Sequence, residues 1–130
     1  ITGLEATAPK LPRPRIAEPN TKISFPFLKL GILPGLASTY YLPSLVGISK
    51  AKEIILTNAN LSAQEAKEIG LINEVVSKDN LDNTITEIAS SFDEIDLNTL
   101  ISAKKAFHPN LEEKIQDAIN NERNLLKTIK

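Results

Sequence analysis

The sequence predicts an α/β fold in which helices dominate, and three observations carry that expectation. From Asp79 onward, apolar residues recur at helical spacing through Leu81, Ile85, Ile88, Ala89 and Phe92, and again through Leu111, Ile115, Ala118 and Ile119. Alternation of the strand type is confined to short stretches such as Ile23-Ser24-Phe25. Between them lie strong punctuation signals, Pro34-Gly35, Gly47 and Gly70. The chain divides on this reading into an irregular proline-rich connection over 1–20, a mixed core over 21–78 and a helical region over 79–130.

Taken in order, Pro9, Pro12, Pro14 and Pro19 each fix φ and remove a backbone donor, so residues 1–20 read as irregular. A strand runs through Ile23 to Phe25 and ends near Pro26. Pro34-Gly35 makes a turn, and Leu36 to Leu45 are small and apolar enough for a short buried helix broken by Gly47. Ser49 is positioned to cap the next helix, which buries Ala51, Ile54 and Ile55 and runs to about Thr57. Ser62 and Glu65 have the spacing of a capping box, with Leu61 placed as its hydrophobic staple against Ala66. Gly70 supplies the left-handed stop. Leu71, Ile72, Val75 and Val76 follow as a short β segment. Asp79 opens one helix and Asp96 caps another bearing Leu97, Leu100, Ile101 and Ala103. Asn110 and Glu113 suggest a second capping box for the last helix, whose stripe weakens between Ala118 and Leu125, where Asn120, Asn121, Glu122, Arg123 and Asn124 intervene.

Composition narrows the functions. At 130 residues with 42% hydrophobic content, the chain can bury a core, and its net charge of −1 gives no electrostatic draw to nucleic acid or anionic membranes. No apolar run reaches the roughly 18–20 residues that span a bilayer. With no cysteine, disulfides, thiolate metal sites and a cysteine nucleophile are excluded. The single histidine, His108, leaves no room for a His-rich metal centre and sits before Pro109 as a solvated loop residue. No metal or cofactor is expected, and a cytoplasmic location follows from the lack of export and membrane signals.

Arg15-Ile16-Ala17, Ile23-Ser24-Phe25-Pro26, the Leu30-Gly31 to Tyr40 turn and helix, Leu42-Pro43, Gly47, Ala51, Leu56-Thr57 and Ala63 to Gly70-Leu71 fall in one order. In that order the chain resembles the crotonase superfamily, the enoyl-CoA hydratase/isomerase family. The resemblance implies the C-terminal part of a β/α spiral with trailing helices that drive trimer formation. It implies lyase or isomerase chemistry on acyl-CoA or acyl-carrier thioesters, as in fatty acid metabolism, with the CoA thioester as substrate rather than cofactor. It also enters partway through the family's pattern. The chain begins at Ile1 and has no methionine, so either the N-terminus is trimmed or a substantial N-terminal segment is missing, and the resemblance favours the second.

Family chemistry rests on two backbone N–H groups that hold a thioester enolate in an oxyanion hole. By resemblance, Ile1-Thr2-Gly3-Leu4-Glu5 is a remnant of the turn that supplies one of them, with the Thr2 N–H as donor and Glu5 as a catalytic carboxylate. The other donor belongs to the half of the fold this chain lacks. The hydratase branch places a second glutamate where this chain has Phe27, and the isomerase branch places one where it has Gly35. Neither residue can move a proton, so an ordinary hydratase is disfavoured. The branch that decarboxylates acyl thioesters fits better. The resemblance sets Phe27, Gly35, Leu36 and Tyr40 at the substrate pocket. Read from the residues alone, Phe27 is a core aromatic, and Ser38 to Tyr41 either pack against the turn or line an acyl pocket. Lys104 and Lys105 read as a solvated helix face or as a contact to CoA phosphates. The segment with which relatives pack near the CoA of a neighbouring subunit has no counterpart before Lys130, which leaves CoA binding through it open.

The rival reading is a non-catalytic structural or assembly module that keeps part of the spiral for oligomer contacts. An unrelated helical binding domain is a third, and requires the ordered matches to be chance.

Overall fold

The computed structural model describes residues 15–128. Among them lie four short strands and six helices: β1 (Ile16–Ala17), β2 (Lys22–Ser24), α1 (Ser38–Val46), α2 (Ile48–Leu56), β3 (Asn60–Ser62), α3 (Ala63–Glu68), β4 (Glu74–Val75), α4 (Lys78–Ser90), α5 (Leu97–Phe107) and α6 (Leu111–Leu126). This is the helix-rich α/β architecture expected of the C-terminal part of a crotonase-like spiral.

The strands form two pairs. β1 lies parallel to β4, with Ile16 beside Glu74, and β2 lies antiparallel to β3, with Ile23 beside Leu61. Arg15 fastens the parallel pair from below. Its backbone N–H donates to Asn73 Oδ1 at 2.8 Å, its carbonyl accepts from the Asn73 N–H at 2.8 Å, and its Nε donates to the Leu71 carbonyl at 2.7 Å. Burial pushes the Arg15 guanidinium below its ordinary value, because the charged form loses hydration there. The arginine that opens the Arg-Ile-Ala motif thus holds the fold together through the backbone of the β4 approach.

One apolar core runs through Ile23 and Phe25 of the β2 segment, Leu42, Ala51, Ile54 and Ile55 of α1 and α2, Ala63 and Ala66 of α3, and Leu71 and Ile72. The alanines let α3 approach closely, and both are fully buried. α2 buries the Ala51, Ile54 and Ile55 face read from its spacing. The capping box at α3 is complete: the Glu65 N–H donates to Ser62 Oγ at 3.1 Å and the Ser62 N–H to Glu65 Oε1 at 3.2 Å. Gly70 follows at φ +86°, and a Cβ there would lie 3.2 Å from the Leu45 carbonyl, so both conformation and space require glycine.

Several boundaries differ from the sequence reading. α2 is capped by the backbone of Gly47 at φ 86°, which places Ser49 inside the first turn, where its hydroxyl makes no cap. α1 begins at Ser38 because Leu36 and Ala37 occupy the left-handed region at φ 57° and 62°. Ser77, ahead of Asp79, stands at the N-cap of α4, and Asp79 lies in the first turn. Asp96 does cap α5, accepting from the Thr99 N–H at 3.1 Å. Asn110 precedes α6 but is itself left-handed at φ 58° and makes no side-chain cap, so no second capping box forms. The β segment expected over Leu71 to Val76 narrows to Glu74–Val75, because Leu71 and Ile72 turn inward to the core. β3 was not anticipated; it exists as the partner that β2 needs.

Candidate functional site

The segment from Phe25 to Ala37 joins β2 to α1 and holds Gly31, Leu36 and Ala37 at positive φ. Phe27 is half-buried against the core, and its carbonyl accepts from the N–H groups of Leu30 (3.2 Å) and Ile32 (2.9 Å), which winds the chain into a tight loop. Asn58, itself left-handed, braces the loop by accepting the Lys29 N–H at 3.1 Å. Leu30, Ile32 and Leu36 then project into open space, Leu36 at 73% exposure. An exposed leucine in the left-handed region is unfavourable on both counts, since its Cβ strains the backbone and its side chain meets water. Strain of this kind is retained at ligand-contacting turns when the surroundings over-determine it.

What over-determines it is α6. Glu122 is 5% exposed, and its carboxylate closes on the first turn of α1. The Ala37 N–H donates to Oε1 at 3.0 Å, the Thr39 N–H donates to Oε2 at 3.2 Å, and Thr39 Oγ1 donates to Oε2 as well. Two of the open N–H groups at the helix start are met by a charge of the sign that the helix dipole favours. The loop end is further closed by the Ser38 N–H donating to the Gly35 carbonyl at 3.0 Å. Beside these bonds, Ser38 Oγ is fully buried and has no hydrogen-bond partner among the described residues.

Of the residues singled out from sequence, Thr2 and Glu5 lie outside the described residues. Phe27, Gly35 and Tyr40 are half-buried and Leu36 is exposed, all within this loop and the start of α1. The Tyr40 ring stands edge-on to Tyr41 with centroids 5.7 Å apart. His108 is exposed at the C-terminal end of α5, as expected of a loop histidine. Lys104 and Lys105 stand instead at an open notch of about 890 Å³ between α5 and α6, with Ile101, Pro109 and Leu111. That notch also carries Glu112 and Glu113, so it presents both signs of charge. None of the loop residues lines it.

Glu122 was not singled out from sequence. The signal was present: it occupies the apolar stripe at helical spacing from Ala118 and Ile115, and a lone acid on a buried face requires a donor partner. Among the described residues, no three acidic or histidine side chains converge to hold a metal ion, and no helix is long and apolar enough to cross a membrane.

Comparison with known proteins supplies the family. A sequence model of the enoyl-CoA hydratase/isomerase family matches residues 14–130. The chain belongs to that family, within the crotonase superfamily. It is similar to a short-chain-enoyl-CoA hydratase of Clostridium acetobutylicum, 46% identical over 76 residues, which cover 58% of this chain and 29% of that protein. It is also similar to a probable mitochondrial enoyl-CoA hydratase of Dictyostelium discoideum, 36% identical over 100 residues, 77% of this chain and 36% of that one. In fold it matches the enoyl-CoA hydratase structure from Bacillus halodurans with a TM-score of 0.81 at 24% identity, covering 92% of this chain and 47% of that chain. The chain thus spans about a third of these curated relatives and about half of that solved structure.

Proposed function

We propose that this chain contributes one wall of an acyl-CoA or acyl-carrier thioester site that acts by enolate stabilisation. The observation that carries the reading is the Gly35-Leu36-Ala37 turn: a strained, solvent-facing apolar corner, fixed by a buried carboxylate, in a chain of the enoyl-CoA hydratase/isomerase family. The exposed Leu30, Ile32 and Leu36 suit the apolar acyl part of a thioester, and a second wall would come from other parts of the full-length protein. Phe27 and Gly35 stand where the family resemblance places its proton-moving acids, and neither carries an ionisable group. Hydration, which must activate water and deliver a proton, is therefore disfavoured. Decarboxylation needs less. The electron pair of the breaking C–C bond moves into the thioester carbonyl as carbon dioxide leaves, the enolate is held by N–H donors, and a proton then returns to carbon.

The test is a pair of assays on the full-length protein. Crotonyl-CoA hydration is followed by loss of the enoyl thioester absorbance, and decarboxylation of a carboxyacyl-CoA by carbon dioxide release. The reading expects saturable binding of acyl-CoA with little hydration. Failure to bind any acyl-CoA at millimolar concentration contradicts it, and efficient hydration contradicts the argument from Phe27 and Gly35.

One observation favours the second reading, a structural or assembly module. α4 and α5 bury no residue, while Ile85, Leu97 and Phe107 remain exposed, Phe107 at 84%. Apolar faces of this kind belong against another polypeptide surface, which fits a homo-oligomer.

A further inference from the structure

We propose that Glu122 is a positioning residue for the turn at Leu36 and Ala37, setting the shape of the thioester wall from a helix more than eighty residues away in sequence. The inference rests on the reading of that turn as a ligand wall. Leu36 and Ala37 are non-glycine residues in the left-handed region at φ 57° and 62°, a conformation that a free loop would leave. The N–H of Ala37, the second strained residue, ends on Glu122 Oε1. The N–H and hydroxyl of Thr39, one residue into α1, end on Oε2. Both carboxylate oxygens therefore fix the chain on the C-terminal side of Leu36, at Ala37 and at Thr39. α6 packs on α1, and this contact carries a shift of α6 to the backbone at Ala37 and Thr39. A carboxylate suits the role because both of its oxygens accept. An amide in its place would present one acceptor and one donor, and in either orientation the donor would face a backbone N–H, of Ala37 or of Thr39.

Amide hydrogen exchange and acyl-CoA binding, measured on the full-length protein, test the proposal. The variants are Glu122→Gln, Glu122→Ala and Glu122→Asp, and Ile54→Val, a core change away from the turn, serves as the stability-matched control. Exchange at the Ala37 and Thr39 amides should rise about tenfold or more in the Gln and Ala variants relative to the control at equal global stability. The same two amides should lose the downfield proton shift that a carboxylate acceptor imparts. The dissociation constant for acetyl-CoA should rise about tenfold or more, as small misplacements of a positioned wall do, while Ile54→Val leaves it unchanged. Unchanged local exchange in Glu122→Gln overturns the proposal, as does a loosened turn with unaltered acetyl-CoA affinity. If the unsubstituted protein binds no acyl-CoA, the thioester reading fails, and the exchange and proton-shift data alone decide whether Glu122 sets the turn.

Discussion

At the scale of single residues, two side chains break the usual rules of burial, and one, Ser38, lies in the chain between the residues that bond to the other. Glu122 is a buried acid whose charge is met by N–H and O–H donors at a helix start, and Ser38 is a buried hydroxyl with no partner among the described residues. An unsatisfied buried hydroxyl costs on the order of 1–3 kcal/mol. Ser38→Ala should therefore raise stability by about 1 kcal/mol, measured by urea unfolding at neutral pH; a loss of stability would mean that Ser38 has a partner elsewhere in the protein. Little of this was readable in the sequence. Phe27 is legible as a core-packed aromatic from its residue type, whereas the partner of Glu122 lies 85 positions away from it in the chain, beyond the reach of any local pattern. The left-handed conformations of Leu36 and Ala37 were equally hidden, since neither residue type announces a positive φ.

At the scale of elements, the local signals held where the chemistry is local. Ser62, Glu65 and Gly70 start and stop α3 within nine residues, and every bond they imply is present. Asn110 and Glu113 have the same spacing but form no box, because Asn110 is left-handed and its side chain does not cap the helix. The working box has a pH signature. Hydrogen bonding from the Ser62 backbone, then from its side chain, and the charge of Lys22 hold the Glu65 carboxyl below its ordinary value of 4.5, against a smaller opposing effect of desolvation. The folded carboxyl is thus more acidic than the unfolded one, so its contribution is complete above about 4.5 and fades as pH falls through the lower folded value. The stability difference between the native protein and Glu65→Gln should be constant from pH 7 to 5 and shrink below 4.5. A difference that grows on acidification would contradict the assignment.

At the scale of the whole molecule, the helix-rich α/β class and the core of α2 and α3 follow from apolar spacing and turn residues. What spacing could not tell is which apolar faces meet each other. The apolar spacing of α4 and α5 predicts the helices themselves, and of their apolar residues Ile85, Leu97 and Phe107 remain open. If a second polypeptide surface covers them, sedimentation of the native protein should give an assembly of several subunits. The double substitution Leu97→Glu with Phe107→Glu should lower the assembly size with little loss of helix, because both positions are already exposed. An unchanged assembly would place the interface elsewhere. The central claim, that the Gly35–Thr39 turn forms part of a thioester site, is tested most directly by native mass spectrometry of the full-length protein with acetyl-CoA. The account predicts an adduct of one CoA thioester per site that weakens in Glu122→Gln; a protein that stays bare at millimolar acetyl-CoA would contradict it.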